Sequence, residues 1–271
     1  MIAPRDLPDE FIHWNRRWGS PFGRDVPRWL TPWLPRQGRL ESRWRGPFAY
    51  QSNSTTRRFE FPWTYGEIAA RGQSLDVVEI GGGLSGMQFV LAGEGHRVIN
   101  VDPGVAADGR GWKLDVDAHA RLCRYFGAPV DLRSTTISGA GLADASVDVL
   151  LCISAIEHFA PAEVEEVAEQ MRRVLRPGGI AVLTIDLFLD LCPFTREASN
   201  HYGRNLDVRS FLAAGGLELR SGEPAELLGF DEFSSEKVLA DLSRFAIGES
   251  YPALSQCLVA GLLENESSAS D

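Results

Sequence analysis

A chain of 271 residues with 44% hydrophobic and 24% charged side chains has the make-up of a soluble globular protein able to bury a substantial core. Its net charge of −10 counts against a nucleic-acid backbone as the main partner, and no apolar run reaches the roughly 18 residues needed to cross a membrane. The charge is uneven: residues 1–60 hold 11 Arg against 6 Asp/Glu, a balance of +5, and residues 61–271 hold 16 Lys/Arg against 31 Asp/Glu, a balance of −15.

Residues 1–65 carry six of the seven tryptophans (Trp14, Trp18, Trp29, Trp33, Trp44 and Trp63) and eight of the fifteen prolines. So many large aromatic rings are not left in water, which argues against disorder. The expectation is an irregular arm over 1–73 that packs on a main domain as a docked lid, with a short helix at 9–18. A surface for a second subunit is the alternative. The stretch Arg57-Arg58-Phe59-Glu60-Phe61-Pro62-Trp63-Thr64-Tyr65 enters a helix before the first strand. Its arginines could pair with a ligand carboxylate and Trp63 and Tyr65 could contact a substrate; core packing is the competing reading.

From residue 74 the pattern alternates strand and helix. Strands are expected at 75–80, 97–101, 130–136, 147–154, 180–185, 217–220 and 254–263. Helices are expected at 85–92, 115–126, 161–175, 208–214 and 235–245. The helix at 161–175 opens on Pro161 with Glu163, Glu165 and Glu166, closes on Arg172, Arg173 and Arg176, and is stopped by Pro177-Gly178-Gly179. The result is a mostly parallel, Rossmann-like α/β sheet of seven strands with helices on both faces over 74–263. Residues 186–205 form a polar cap insertion, and 264–271 form a frayed, disordered tail.

Ligands of such sheets bind at the carboxyl ends of the strands. There the chain places Glu79, then Gly81-Gly82-Gly83 with Gly86, then Asp102 at the end of the second strand. Glycines permit a sharp turn and a close ligand approach, the following helix aims free N–H groups into it, and Asp102 suits ribose hydroxyls. This spacing also fits a dinucleotide, so an NAD-dependent oxidoreductase is a rival. Glu79 favours a ligand with a cationic amino group over a pyrophosphate.

With Asp144 to Phe159 and Met171 to Gly179 added, the chain resembles the class I S-adenosylmethionine-dependent methyltransferases of the small-molecule group, over roughly residues 74–187. The resemblance implies that Glu79, Gly81, Gly82 and Gly83 wrap the methionine part of S-adenosylmethionine, that Asp102 and Pro103 hold the ribose, and that Ser154 and Glu157 lie beside the cofactor. Ser85 replaces the third glycine of the family's usual run. No acidic residue stands near the adenine, where Ile137 and Ser138 take its place. The implied reaction moves a methyl group to an O, N or C atom of a small molecule, such as a secondary metabolite, leaving S-adenosylhomocysteine. A methyltransferase-fold protein with a non-methylating role is a further alternative.

His158, Asp186 and His201 are candidate catalytic groups, and Tyr202 a candidate substrate contact. His13, His96 and His119 read as surface residues. Cys123, Cys152, Cys192 and Cys257 form no metal-ligand cluster, and Cys152 and Cys257 read as buried hydrophobes. The first residues have no apolar signal region, so a cytoplasmic monomer or homodimer with no membrane or nucleic-acid partner is expected.

Overall fold

The computed structural model describes residues 1–30, 38–104, 114–249 and 251–263. Trp33 and the tail after Leu263 therefore lie outside the described residues.

The strands are β1 (Asp76–Ile80), β2 (Arg97–Val101), β3 (Val130–Arg133), β4 (Val147–Ile153), β5 (Leu175–Phe188), β6 (Leu217–Ser221) and β7 (Ala253–Leu262). Apolar runs form the central strands β1, β4, β5 and β7, which are largely buried, while the strands toward the edges, β2, β3 and β6, are partly exposed. Together the strands make one sheet in the order β3-β2-β1-β4-β5-β7-β6. The β1–β5 pairings are parallel and β7 runs antiparallel to both β5 and β6. The strand order reverses between β1 and β4, which opens a crevice at their carboxyl ends.

Among the described residues the opening segment is more regular than an irregular arm: it holds α1 (Asp9–Trp18), the short helix expected there, α2 (Arg39–Arg45), and α3 (Arg57–Ala69), the helix expected before the first strand. The physical reason is core formation. Phe59, Phe61, Trp63 and Ile68 of α3 are buried with Val77, Val149, Leu151, Val182 and Val259 from the strands. Each such side chain contributes about 1.5–3 kcal/mol when fully buried, so α3 is a layer of the main core. Pro62 lies within its first turns and the helix continues through it. The N-terminus is tied in as well: Ala3 N–H donates to Ser255 O at 2.8 Å and Cys257 N–H to Met1 O at 2.6 Å, so residues 1–3 extend the sheet along β7.

The same face carries α4 (Gly86–Gly93) and α5 (Val116–Phe126). The opposite face is covered by α6 (Pro161–Val174) and α7 (Val208–Ala214), while α8 (Ser235–Ala240) packs by the start of β7. The helix expected over 235–245 is shorter because it breaks into a separate 3-10 turn at Leu242–Arg244. β5 is longer than expected at both ends: Leu175 already pairs with Val147, and a register shift between Val147 and Val149 absorbs Pro177-Gly178-Gly179. At its far end β5 continues to Phe188, so Asp186 lies within the sheet, opposite Ser255.

Candidate functional site

The turn after β1 is built by what lies beneath it. Glu79 is 1% exposed and points under the turn. A Cβ at Gly82 would fall 2.7 Å from Asn100 Oδ1 and 2.8 Å from Glu79 Cδ, so no side chain fits there. Gly83 has φ +53°, and a Cβ on it would meet Gln51 Oε1 at 2.8 Å. Ser85 caps α4 by accepting from Met87 N–H at 3.2 Å, which explains a serine at this position.

Asp102 braces this turn from β2. Its Oδ2 accepts from Gly83 N–H at 2.8 Å and its Oδ1 from Gly104 N–H at 2.7 Å. The carboxylate stays half-exposed, with Pro103 exposed next to it, leaving acceptor capacity for hydroxyl donors. Burial pushes the Glu79 carboxyl up to about 7; Ser85 opposes this and the charge of Asp102 adds to it. Glu79 Oε2 has no hydrogen-bond partner among the described residues. A buried, unpartnered carboxylate oxygen beside a glycine turn fits a cationic amino group, and Asp102 fits a ribose.

A second polar cluster lies over the ends of β4 and β5. The Arg57 guanidinium, at the start of α3, donates to Glu60 Oε2 and to Ser154 Oγ. Thr184 Oγ1 donates to Glu60 Oε2 at 2.7 Å. The Ser154 hydroxyl lies 3.1 Å from Glu60 Oε2 and 3.2 Å from Asp186 Oδ1 and donates to one at a time. Tyr251 Oη donates to Asp186 Oδ2 at 2.7 Å, and Asp186 N–H donates to Glu157 Oε1 at 3.2 Å. Ser154 holds φ +39°, a left-handed conformation that is costly for a residue with a Cβ and is imposed by these partners.

One cation thus faces three buried carboxyls. Burial lowers the pKa of Arg57, but Glu60 and then Asp186 more than offset it, so the guanidinium stays charged. Burial and the neighbouring Asp186 charge raise Glu157 well above the carboxylate range. Burial also raises Asp186, against the pull of Arg57. Burial and the Asp186 charge raise the Tyr251 phenol, which stays a donor.

The segment that follows β5, residues 189–205, is hydrogen-bonded to the turn after β4. Arg204 N–H donates to Glu157 O at 3.2 Å, and His158 Nδ1 donates to Tyr202 O. The Tyr202 ring lies 4.4 Å from that of Tyr251, and His201 lies 5.4 Å from Tyr202 at the exposed rim. Glu79, Gly81–Gly83 and Asp102 therefore form one group, and Ser154, Glu157, Asp186, His158 and Tyr202 a second along the same strand ends.

Other candidates stand apart. Trp63 is 7% exposed within the core, and Tyr65 packs on Trp14 with its phenol near Glu94, at the far end of α4 from the glycine turn. Both are corrections: α3 runs away from the strand ends, so only its first turn reaches the site. Ile137 is buried among Val78, Ile80 and Val101, and the exposed Ser138 pairs with Thr136 at 2.9 Å. His119, expected at the surface, is 3% exposed. The sequence reading missed Gln51, Glu60, Thr184 and Tyr251. Glu60 and Thr184 look like ordinary helix and strand residues, and only the fold brings them together.

A methyltransferase-domain family model matches residues 78–183. A probable S-adenosylmethionine-dependent methyltransferase of Mycolicibacterium smegmatis is 30% identical over 193 residues, 71% of this chain and 64% of that protein. An uncharacterized methyltransferase of Mycobacteroides abscessus is 33% identical over 132 residues, 47% of this chain and 45% of the relative. The chain spans between about half and just under two thirds of the length of these curated relatives. Among solved structures, the [4+2]-cyclase SpnF is similar with a TM-score of 0.55 and 15% identity, covering 86% of this chain and 93% of that one. The 1,6-didemethyltoxoflavin-N1-methyltransferase of Burkholderia thailandensis, solved with bound 1,6-didemethyltoxoflavin and S-adenosylhomocysteine, gives 0.51 and 15%, covering 96% and 93%. A cyclase and a methyltransferase on one fold show that the fold by itself does not fix the reaction. The methyltransferase-domain match over residues 78–183, these relatives and the seven-stranded sheet make the chain similar to the class I S-adenosylmethionine-dependent methyltransferases.

Proposed function

We propose that the protein transfers a methyl group from S-adenosylmethionine to an oxygen, nitrogen or carbon atom of a small molecule. The observation that carries the reading is the pairing of Asp102, which braces the glycine turn through both oxygens, with Glu79, whose buried Oε2 lacks a partner among the described residues. One carboxylate suits the ribose hydroxyls and the other the amino group of the methionine part. Arg57 stands where it can exchange a Ser154 contact for the methionine carboxylate.

When bound, S-adenosylmethionine supplies an electrophilic methyl group on a sulfonium that departs as a neutral thioether. The chain's own task is then to align and enclose, and positioning of this kind can lower a barrier by about 7–11 kcal/mol. Tyr202 and Tyr251, their rings 4.4 Å apart beside Asp186, form one wall above the strand ends. Asp186 is the preferred proton acceptor for an acceptor group that must lose a proton. Its raised pKa suits a base, and Tyr251 fixes its orientation. His158 is engaged with the Tyr202 carbonyl and serves to position the insertion.

Calorimetric titration of the full chain with S-adenosylhomocysteine and, separately, with NAD tests the reading. Binding of S-adenosylhomocysteine alone is expected; binding of NAD alone refutes it.

A further inference from the structure

Beneath the glycine turn runs a line of buried polar side chains that neither the turn's bracing nor the second cluster uses. Gln88 of α4 and Asn100 of β2 are both 0% exposed, and His119 of α5 is 3% exposed. His119 Nε2 lies 2.8 Å from Gln88 Oε1. Asn100 Nδ2 donates to the same Gln88 oxygen at 3.1 Å. Because that oxygen can only accept, the imidazole carries its proton on Nε2, and its Nδ1 faces the Cys123 thiol at 3.7 Å. The Phe89 ring, 5.6 Å away, flanks the imidazole.

Both amides then point at one atom. Gln88 Nε2 donates to Gly83 O at 3.2 Å and Asn100 Nδ2 donates to it at 2.9 Å. In a trans peptide the carbonyl and the following N–H point in opposite directions. Drawing the Gly83 carbonyl inward therefore turns the Leu84 N–H outward, where Gln51 Oε1 accepts it at 2.8 Å. The Gly83 N–H meanwhile stays on Asp102.

We propose that His119, Gln88 and Asn100 are positioning residues for the cofactor turn. Through the Gly83 carbonyl they fix which way the Leu84 amide faces, and so how the turn meets both its ligand and the Gln51 segment. The donors all run toward Gly83, an order in which each hydrogen bond polarises the next. The proposal rests on the glycine turn being the cofactor site.

The test uses the full chain as wild type, His119→Leu, His119→Gln and Gln88→Met. Two quantities are read: the dissociation constant of S-adenosylhomocysteine, and the backbone amide resonances of Gly83 and Leu84 without ligand. His119→Leu and Gln88→Met should weaken binding roughly 3- to 10-fold and shift the Leu84 amide. His119→Gln, whose amide nitrogen can stand in for Nε2, should stay within about twofold of wild type. If His119→Leu fails to fold, Gln88→Met gives the same readout from the other helix. Binding in the wild type with the Leu84 amide unmoved in the variants overturns the positioning role. Absence of binding in the wild type overturns the cofactor reading, and the inference built on it.

Discussion

Glu79→Gln should make the protein without ligand more stable and a poorer binder, and the stability gain should depend on pH in a fixed direction. The side chain is 1% exposed, lacks a partner at Oε2 among the described residues and has its carboxyl pushed up to about 7 from an ordinary 4.5. That difference corresponds to about 3 kcal/mol, at 1.36 kcal/mol per pH unit. Below about pH 4.5 the carboxyl is protonated folded and unfolded, and the cost is absent. Between about 4.5 and 7 the unfolded chain ionises first, so the folded state holds the extra proton and stability falls as pH rises. Above 7 the whole cost stands. A glutamine has the same shape and never ionises, so the variant's advantage should open between pH 5 and pH 7 and be complete at pH 8. At roughly 2–4 °C per kcal/mol for a chain of this size, the gap in Tm at pH 8 is about 6–12 °C. Thermal unfolding of both proteins across that range measures it. A gap equal at pH 5 and pH 8, or a variant less stable at pH 8, refutes the reasoning. The same variant should bind S-adenosylmethionine at least about tenfold more weakly, the usual consequence of losing a hydrogen bond to a charged group.

Asp102→Ala removes the acceptor for both Gly83 and Gly104 N–H groups, and should weaken S-adenosylhomocysteine binding by more than about tenfold in a calorimetric titration. Tyr65→Phe should leave that affinity unchanged, because Tyr65 sits beside Trp14 and away from the turn. Arg57→Met strands Glu60 and Asp186 without their cation and should cost about 3–5 kcal/mol in urea unfolding, much of it recovered in the Arg57→Met/Glu60→Met double variant. Asp186→Asn should lower the rate of labelled methyl transfer to a panel of small-molecule acceptors by roughly 10²–10⁴-fold, while His158→Ala retains most of it. Full turnover in both would assign the site to positioning alone.

The difference between the two polar groups lies in how far apart their members stand in the chain. Glu79, the glycines and Asp102 fall within 24 residues, on adjacent parallel strands, so strand–turn–helix–strand spacing alone brings them together. The cluster over β4 and β5 draws on residues 57, 60, 154, 157, 184, 186 and 251. Its assembly depends on α3 crossing the sheet, a path decided by where Phe59, Phe61 and Trp63 can be buried and not by any local signal. The tryptophan-rich opening misled for the same reason: aromatic density without strand or helix periodicity reads as an irregular lid. Yet one turn of that segment delivers Arg57 to the strand ends, Phe48, Phe59, Phe61 and Trp63 join the core, and Trp29 and Trp44 stay exposed. His119 shows the converse error, since a lone histidine in an amphipathic helix is indistinguishable by sequence from a surface residue until its partners Gln88 and Asn100 are placed. In this fold local spacing positions the glycine turn. The groups that would meet an acceptor are positioned by tertiary packing, through residues far apart in the chain.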